Sequence, residues 1–443
     1  MTATDERNAG TMTTTAIRHD TAISQNSVTS TEERLIWIGI VFTYGFYLTG
    51  TLYVVGSLIG WALLAVVLLR AFVDGRWPER AVVPATVWVW IIGMLVMLVA
   101  LWVAHHDYNM GTGQTIKSSI GWAKGWALLA LFPLLGAVID FKPAILIRAC
   151  CVLAAQAIVF VPLGLAGFMV GLDGPLYLSP LKAIGGPIST FEVNLFGMNP
   201  ESGRPRWPFF APWAPAAGLM ACIYLVICSQ ERNRFWRNVG FVGALFMCLF
   251  CQSRAGWAIF VMLIPALIVF RRLPLPMALL MLGTLACVVL LLGQPIYEGV
   301  MDLYQQAKDS RPGSTRVRAA LANLALQRWQ AEAPIWGHGV IETGPKMVEF
   351  MPIGSHHSWY GLLFVKGLVG LFALAVPMVI TALYLALVCG NRSAVWVSIL
   401  LMTILVCYSF FENLEILAYL LWPALLWLGM TLNPLKEGEQ SND

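Results

Sequence analysis

Two places in the sequence combine residue types that could do chemistry. Arg254 lies between two apolar runs with almost no connector, and His356 and His357 end a long polar insert that begins near Gln294. A charged group at the edge of an apolar run is costly to keep there, which makes Arg254 a functional candidate unless it only reaches the lipid headgroups. A guanidinium binds paired anionic oxygens, and an imidazole can take a proton from a hydroxyl or orient it. Together these groups could hold an anion and handle a hydroxyl proton, provided that they face the same side of a membrane.

The composition identifies the class of protein in which these residues stand. The chain has 443 residues, of which 58% are hydrophobic and 12% are charged, and its mean hydropathy is +0.72. These values leave too few polar residues to cover a water-soluble globule. A helix that spans a bilayer needs roughly 17–25 mostly apolar residues, so the sequence predicts an all-α polytopic membrane protein with about twelve such helices. The predicted spans lie at 35–52, 54–73, 83–104, 119–139, 144–171, 208–229, 238–252, 255–271, 275–293, 360–388, 394–411 and 414–431.

The positions of lysine and arginine predict the orientation. Short cytoplasmic loops are enriched in these residues, and here they collect in every second connector, for example around Arg76, Arg148, Arg234 and Arg392. Both termini are then cytoplasmic, and both long loops lie outside. The predicted order is a disordered cytoplasmic tail at 1–33, spans 1–9 at 34–293 with an outer loop at 172–207, a large outer loop with short helices at 294–357, spans 10–12 at 358–431, and a cytoplasmic tail at 432–443.

The segment from Phe241 to Leu371 contains four short motifs in order. They are Ser253-Arg254-Ala255-Gly256-Trp257, Pro334-Ile335-Trp336-Gly337-His338-Gly339, His356-His357-Ser358-Trp359 and Gly367-Leu368-Val369-Gly370-Leu371. Their order and spacing resemble the O-antigen ligase and polymerase superfamily, whose large loop carries P-x-x-G-x-G and ends in H-N-x-x-L before a G-x-x-G. Counting back from Gly367 places His356 on the family histidine. His357 stands where asparagine is usual, so which of the two histidines acts is open.

This resemblance implies a membrane glycosyltransferase with a GT-C-like fold in the bacterial inner membrane. Such an enzyme takes a glycan from undecaprenyl diphosphate at the periplasmic face, inverts the anomeric centre, and needs no metal or other cofactor. The acceptor is a sugar of the lipid A core for a ligase, or of a growing O-antigen or exopolysaccharide chain for a Wzy-type polymerase. Membrane lipids and a chain-length regulator or flippase are the further partners it suggests. In this scheme Arg254 binds the diphosphate and His356 acts on the acceptor hydroxyl.

Six further basic residues are candidates for substrate binding. Arg316 and Arg318 lie among apolar residues at helical spacing, which predicts an amphipathic helix on the membrane surface, where arginines also meet headgroups. Lys124 lies in the fourth predicted span, where it could neutralise a diphosphate, pair internally or reach the headgroups. The full set is Arg204, Arg206, Arg316, Arg318, His357 and Lys124.

Other classes of function fit the sequence less well. Nucleic acid is not an expected partner, because no basic run with interleaved aromatic residues is present. His105, His106 and Asp107 lack further ligands at suitable spacing, so no metal site is expected. A multi-pass transporter or flippase for a lipid-linked saccharide is the alternative, since twelve spans with both termini inside also fit that class. Against it, no repeat relates the two halves, and the largest loop follows the ninth predicted span.

Overall fold

The structure, a computed structural model, describes residues 30–75, 82–172, 174–199, 203–272, 312–354, 356–388 and 393–436. Within these ranges the chain is mostly helical. The helices are α1 (Thr31–Val41), α2 (Thr43–Leu48), α3 (Leu52–Val73), α4 (Ala85–Asp107), α5 (Gly111–Lys124), α6 (Leu128–Val138), α7 (Pro143–Met169), α8 (Ala214–Cys228), α9 (Arg234–Cys251), α10 (Arg254–Arg272), α11 (Pro312–Glu332), α12 (Ser358–Val388), α13 (Ser393–Ser409) and α14 (Leu414–Leu432).

The loop between α7 and α8 contains two small antiparallel ribbons. In the first, β1 (Tyr177–Leu178) pairs with β2 (Glu192–Val193), and in the second, β3 (Gly197–Met198) pairs with β4 (Pro205–Arg206). These strands give the loop a fixed backbone path without a core of its own. Short 3₁₀ turns lie at Pro180–Ile184, Ile188–Thr190, Lys346–Val348 and Pro434–Lys436.

Six of the described helices, α3, α4, α7, α9, α12 and α14, are long and apolar enough to cross a membrane. The pair α5 and α6 is bent by 43° and adds a seventh crossing if it forms one broken span. Shorter apolar helices, α8, α10 and α13, occupy other predicted spans, and the predicted span 275–293 lies outside the described residues. The chain is thus an all-α polytopic membrane protein, as predicted.

The centre of the bundle is α14, which packs closely against α6. A Cβ atom added to Gly136 would lie 2.1 Å from the Leu426 carbonyl oxygen, and one added to Gly429 would lie 2.0 Å from the Pro133 carbonyl oxygen. The two backbones can therefore approach only because both positions are glycine. Small residues at such crossings are characteristic of membrane helices, where packing and not the hydrophobic effect drives helix association.

Hydrogen bonds between connectors show which helix termini lie at the same end of the bundle. We call one end the loop end, because the described parts of both long loops, 174–199 with 203–213 and 333–354 with 356–357, lie there. It also holds the turns after α2, α4, α9 and α13, whereas the connectors after α6 and α8 lie at the opposite end. The bonds at the loop end join Tyr47 to the Asn194 carbonyl (2.7 Å), His105 to the Gly339 carbonyl (3.1 Å) and Gln252 to the Pro205 carbonyl (2.8 Å), and Arg148 pairs with Glu231 (2.7 Å) at the opposite end.

The helix α12 is interrupted at Gly367, whose φ of 62° and ψ of −159° are not helical. The turn Pro334–Gly339 fills the interruption. The N–H groups of Leu368 and Val369 donate to the carbonyls of Pro334 (3.0 Å) and Ile335 (3.2 Å), and those of His338 and Gly339 donate to the carbonyls of Phe364 and Val365 (2.9 Å each). The loop thereby satisfies backbone groups that a broken helix inside a membrane would otherwise leave unpaired.

The predicted amphipathic helix around Arg316 and Arg318 is present as α11, but its apolar side contacts the protein. Val317 and Leu321 are 4% and 2% exposed and pack against Val348 of the 3₁₀ turn. The expectation that this side lies on the membrane surface is therefore wrong. Periodicity identified the helix correctly, but the same pattern fits burial against a loop as well as burial in lipid.

The first helix begins inside the segment predicted as a tail. Ser30 accepts a hydrogen bond from the Glu33 N–H (3.1 Å), and the Glu33 carboxylate accepts one from the Ser30 N–H (3.2 Å). This capping box explains why α1 starts at Thr31. The remainder of the predicted N-terminal tail, 1–29, and the end of the C-terminal tail, 437–443, lie outside the described residues.

Candidate functional site

A cavity of about 480 Å³ lies at the loop end. One wall comes from the shorter long loop at Gly186, Pro187 and Ser189, and another from the larger loop between Met351 and His356. The first turns of α12 and α14 complete it. Both long loops therefore line one cavity, so residues of the two loops could contact the same substrate. Most of its lining is apolar with a few polar groups, as is usual for ligand cavities.

His356 lies in the wall of this cavity and is half-buried. Burial and, as a smaller effect, the positive charge of Arg318 together lower the pKa of its imidazole from 6.5 to about 4. Its Nε2 atom lies 3.4 Å from the sulfur of Met351, a weak partner. At neutral pH the ring is uncharged, and one of its nitrogens can accept a proton.

His357 has a different environment and is not among the residues that line the cavity. Its Nδ1 accepts a hydrogen bond from the Tyr360 N–H (3.4 Å), and its carbonyl accepts one from the Gly361 N–H (3.0 Å). The imidazole stacks on the Tyr360 ring with 4.0 Å between centroids. His357 therefore caps the start of α12, which makes His356 the better placed of the two histidines to meet a substrate.

Arg254 is the first residue of α10 and is half-buried at the loop end. The chain reaches it through Gln252, which has a left-handed φ of 51° and whose side chain donates to the Pro205 carbonyl (2.8 Å). This bond joins the turn before α10 to the strand that carries Arg206. Arg254 thus lies at the same end of the bundle as His356, as the sequence predicted.

A second cavity of about 380 Å³ lies at the loop end and is lined by Arg206, Asn194 and Trp213. Trp213 also lines the first cavity, so the two cavities are adjacent at this residue. Arg204 is exposed, and its carbonyl closes a turn by accepting from the Asn199 N–H (3.0 Å). Of the two arginines predicted in this loop, Arg206 faces a cavity and Arg204 faces outward.

Glu412 lies among these basic residues, although the sequence did not single it out. It is 1% exposed, and its carboxylate accepts a hydrogen bond from the Trp213 indole (2.7 Å). Burial raises its pKa from 4.5 to about 7, against the positive charges of Arg318 and Arg206, which lower it. Its carbonyl accepts from the Ser358 hydroxyl (2.7 Å). Arg318, which also acts on His356, therefore belongs to one electrostatic unit with Glu412.

The other two candidates are placed less centrally. Arg316 is exposed on α11. Lys124 ends α5, and its ammonium donates to the carbonyls of Ile184 (3.1 Å) and Gly185 (2.6 Å) while lying 5.4 Å above the Tyr53 ring. In this structure Lys124 holds the shorter loop against α5, which is the internal pairing that the sequence left open.

Residues 239–375 match the family model Wzy_C, which is described as O-antigen ligase. This part of the chain is therefore similar to O-antigen ligases. The match contains Arg254 and His356 and extends past Gly367, so the resemblance over 241–371 is confirmed. No curated protein matches the chain. The match supports a membrane function of the ligase or polymerase type in a bacterium, with glycosyltransferase-like chemistry and lipid-linked glycans and polysaccharides as the general class of substrate.

Three acidic or basic residues at or beside the first cavity were not predicted from the sequence. Lys366 and Glu415 line the first cavity, and Glu412 lies beside it. Lys366 could have been identified from the sequence, because it lies inside an apolar span and ionisable residues within spans are functional candidates by default. The two glutamates were harder to identify, since they flank the start of the last span, where a charged residue at a membrane boundary is common.

The docked Pro334–Gly339 turn carries His338, which is 1% exposed. Its two ring nitrogens lie 2.9 Å from the Phe364 carbonyl and 2.8 Å from the Glu332 carboxylate. Glu332 is also paired with Arg328 at 2.7 Å, and these two bonds hold its pKa at about 2. His338 therefore fastens the Pro334–Gly339 turn against α12.

Proposed function

We propose that this protein is a membrane glycosyltransferase that transfers a glycan from undecaprenyl diphosphate to an acceptor sugar at the periplasmic face of the inner membrane. The observation that carries the proposal is the cavity at the loop end, where His356 of the O-antigen ligase domain faces a space bounded by both long loops. Under the same proposal the complete chain has twelve spans and a GT-C-like architecture, and both termini are cytoplasmic.

The proposed reaction inverts the anomeric carbon in one displacement. The acceptor hydroxyl attacks that carbon as the bond to the diphosphate oxygen breaks, and the hydroxyl proton passes to the neutral ring of His356. Negative charge develops on the leaving diphosphate, which Arg254 meets with paired hydrogen bonds. Arg318 and Arg206 add positive charge to the same end of the bundle. These cations supply the stabilisation that a metal would otherwise provide, so the proposal includes no metal.

The negative charge of the proposed donor would change the pKa of His356. Burial and the positive charge of Arg318 lower its pKa to about 4. A bound diphosphate carries negative charge into the cavity, and a neighbouring negative charge raises the pKa of an imidazole. Donor binding thus makes His356 a stronger base at the moment when the acceptor hydroxyl must lose its proton.

Reconstituted protein with a lipid-linked glycan tests the proposal. Arg254→Ala and His356→Ala should abolish transfer while the proteins still insert and accumulate, and Arg254→Lys should be strongly impaired because lysine lacks the two-pronged geometry. His357→Ala should retain transfer, and Arg234→Ala, an exposed arginine at the opposite end, serves as the matched control. If His356→Ala retained transfer and His357→Ala lost it, His357 and not His356 would be the base. Labelling of cysteines in the 294–354 loop from the cytoplasmic side would refute the topology.

Ligase and polymerase differ only in the acceptor, so a deletion strain distinguishes them. Loss of polymer with accumulation of single repeat units indicates a polymerase of O-antigen or exopolysaccharide. Long polymer that stays on its lipid carrier indicates a ligase acting on the lipid A core. Neighbouring genes for a flippase and a chain-length regulator would agree with the polymerase and identify its partners.

A further inference from the structure

Lys366 and Glu415 are ionisable residues in the interior that the proposed displacement does not use. Lys366 is 3% exposed and stands one residue before the interruption of α12, and Glu415 lies in the first turn of α14. Both line the loop-end cavity. Keeping two charged groups in such a position is costly, because both lose part of their hydration. A pair in this position therefore requires a reason beyond packing.

The partners of the two groups are incomplete. Among the described residues, the Lys366 ammonium makes no hydrogen bond, and Glu415 is the opposite charge that acts on it. The Glu415 carboxylate accepts one hydrogen bond, from the Trp126 indole. An ammonium has three donors and a carboxylate several acceptor positions, and buried polar groups are normally paired. The cavity thus presents unused donors beside unused acceptors.

The unused donors and acceptors indicate which class of ligand the cavity could bind. A diphosphate would satisfy Lys366 but would bring its negative charge against Glu415. Adjacent hydroxyls of a sugar ring can do both, because each hydroxyl donates and accepts. Trp213 is half-buried and lines the same cavity, and an indole offers an apolar face to the C–H face of a ring. A neutral hydroxylated ring fits this set of groups better than an anion.

We propose that Lys366 and Glu415 form a monosaccharide subsite, in which a pyranose ring lies against an indole and two neighbouring hydroxyls bridge the ammonium and the carboxylate. The subsite rests on the proposed function, because its ring belongs to the glycan of either the lipid-linked donor or the acceptor. It is separate from the diphosphate site that Arg254 supplies at the start of α10.

Binding measurements on the full-length protein in nanodiscs test the subsite without requiring transfer. The probes are oligosaccharides released by mild acid from the surface polysaccharide of the source bacterium, undecaprenyl diphosphate without sugar, and the lipid-linked repeat unit. Lys366→Met and Glu415→Gln should each weaken the binding of at least one sugar-bearing probe by about tenfold or more, since hydrogen bonds to charged groups are lost. Affinity for undecaprenyl diphosphate should change by less than about twofold. Lys346→Met and Glu349→Gln, exposed residues of the larger loop, are the matched controls.

A single substitution leaves its former partner buried and uncompensated, so either variant could fail to fold. The double variant Lys366→Met, Glu415→Gln removes both charges, and replacing a buried pair together is often neutral or stabilising. Unchanged affinity for both sugar-bearing probes in the folded double variant overturns the proposal, as does equal weakening of undecaprenyl diphosphate. The proposal is also overturned if, in the wild type, neither sugar-bearing probe binds more tightly than undecaprenyl diphosphate does.

The remaining outcomes identify the source of the sugar. Loss confined to the free oligosaccharide assigns the subsite to the acceptor, and loss confined to the lipid-linked repeat unit assigns it to the donor. Arg254→Ala separates the subsite from the proposed function, because it should weaken undecaprenyl diphosphate and spare the oligosaccharide. If Arg254→Ala spares both probes while the Lys366 variants lose sugar binding, the subsite stands and the proposed diphosphate site fails.

Discussion

Replacing Gly367 by alanine should detach the Pro334–Gly339 turn from α12. The φ of 62° and ψ of −159° at this residue lie in a region that essentially only glycine occupies. A Cβ atom there would lie 2.2 Å from the Ile335 carbonyl oxygen and 2.7 Å from the Gly337 nitrogen. Both atoms belong to the backbone of the docked turn, so no side-chain rotation can relieve the clash. The turn itself has to move.

The size of the effect follows from the hydrogen bonds at this junction. Detachment breaks the two bonds that the turn accepts from Leu368 and Val369 and the two that it donates to Phe364 and Val365. At about 1 kcal/mol net for each bond, the loss is about 4 kcal/mol. If α12 closes into a continuous helix, its own groups pair again and the loss falls to about 2 kcal/mol.

Hydrogen exchange at the turn measures this loss directly. In Gly367→Ala, the amides of His338 and Gly339 should exchange about 30-fold to 1000-fold faster, which corresponds to 2–4 kcal/mol of local stability. Transfer should also fall, because the same loop carries His356. Gly121→Ala is the control, since Gly121 is in α5 with nothing within 4 Å of an added Cβ. Wild-type exchange at both amides together with wild-type transfer in Gly367→Ala would refute the reasoning.

Two further predictions concern titration. The acid limb of kcat/KM, which reports the free enzyme, should lie near the His356 pKa of about 4. Arg318→Gln should move it to higher pH by removing a positive charge, and an unmoved limb would exclude His356 as the titrating base. Burial raises the Glu412 pKa from 4.5 to about 7, so the folded state keeps a proton that the unfolded chain loses in this window. Stability should therefore decrease by about 3 kcal/mol as pH rises from 4.5 to 7. Glu412→Gln should abolish that slope in pH-dependent unfolding, and persistence of the slope would assign it to another group.

Much of the architecture could be predicted because it follows from one-dimensional patterns. Apolar runs and the spacing of apolar residues identified the described membrane helices and α11. The alternation of basic connectors put Arg254, His356 and the two long loops at one end, and the contacts at the loop end agree with that grouping. Each of these predictions depends only on neighbours along the chain or on a count of crossings.

The parts that escaped prediction depend on contacts between distant segments. Glu412 acquires its environment from Trp213, Arg206 and Arg318, which come from two loops far from it in sequence. No local pattern indicates that a glutamate at a span boundary will be buried among them. The apolar side of α11 was misassigned for the same reason, because its partner, Val348, is contributed by a turn after the helix.

The interruption of α12 gives the motif spacing a physical basis. A Cβ atom on Gly337 would lie 2.4 Å from the Lys366 nitrogen, and one on Gly367 would lie 2.2 Å from the Ile335 carbonyl oxygen, so each glycine makes room for the backbone of the other segment. The segment between them is therefore anchored at Gly339 on one side and at the start of α12 on the other. His356 lies just before the second anchor and faces the cavity. The two glycine motifs and the histidine act as one unit, since losing either glycine would release the loop that positions the proposed base.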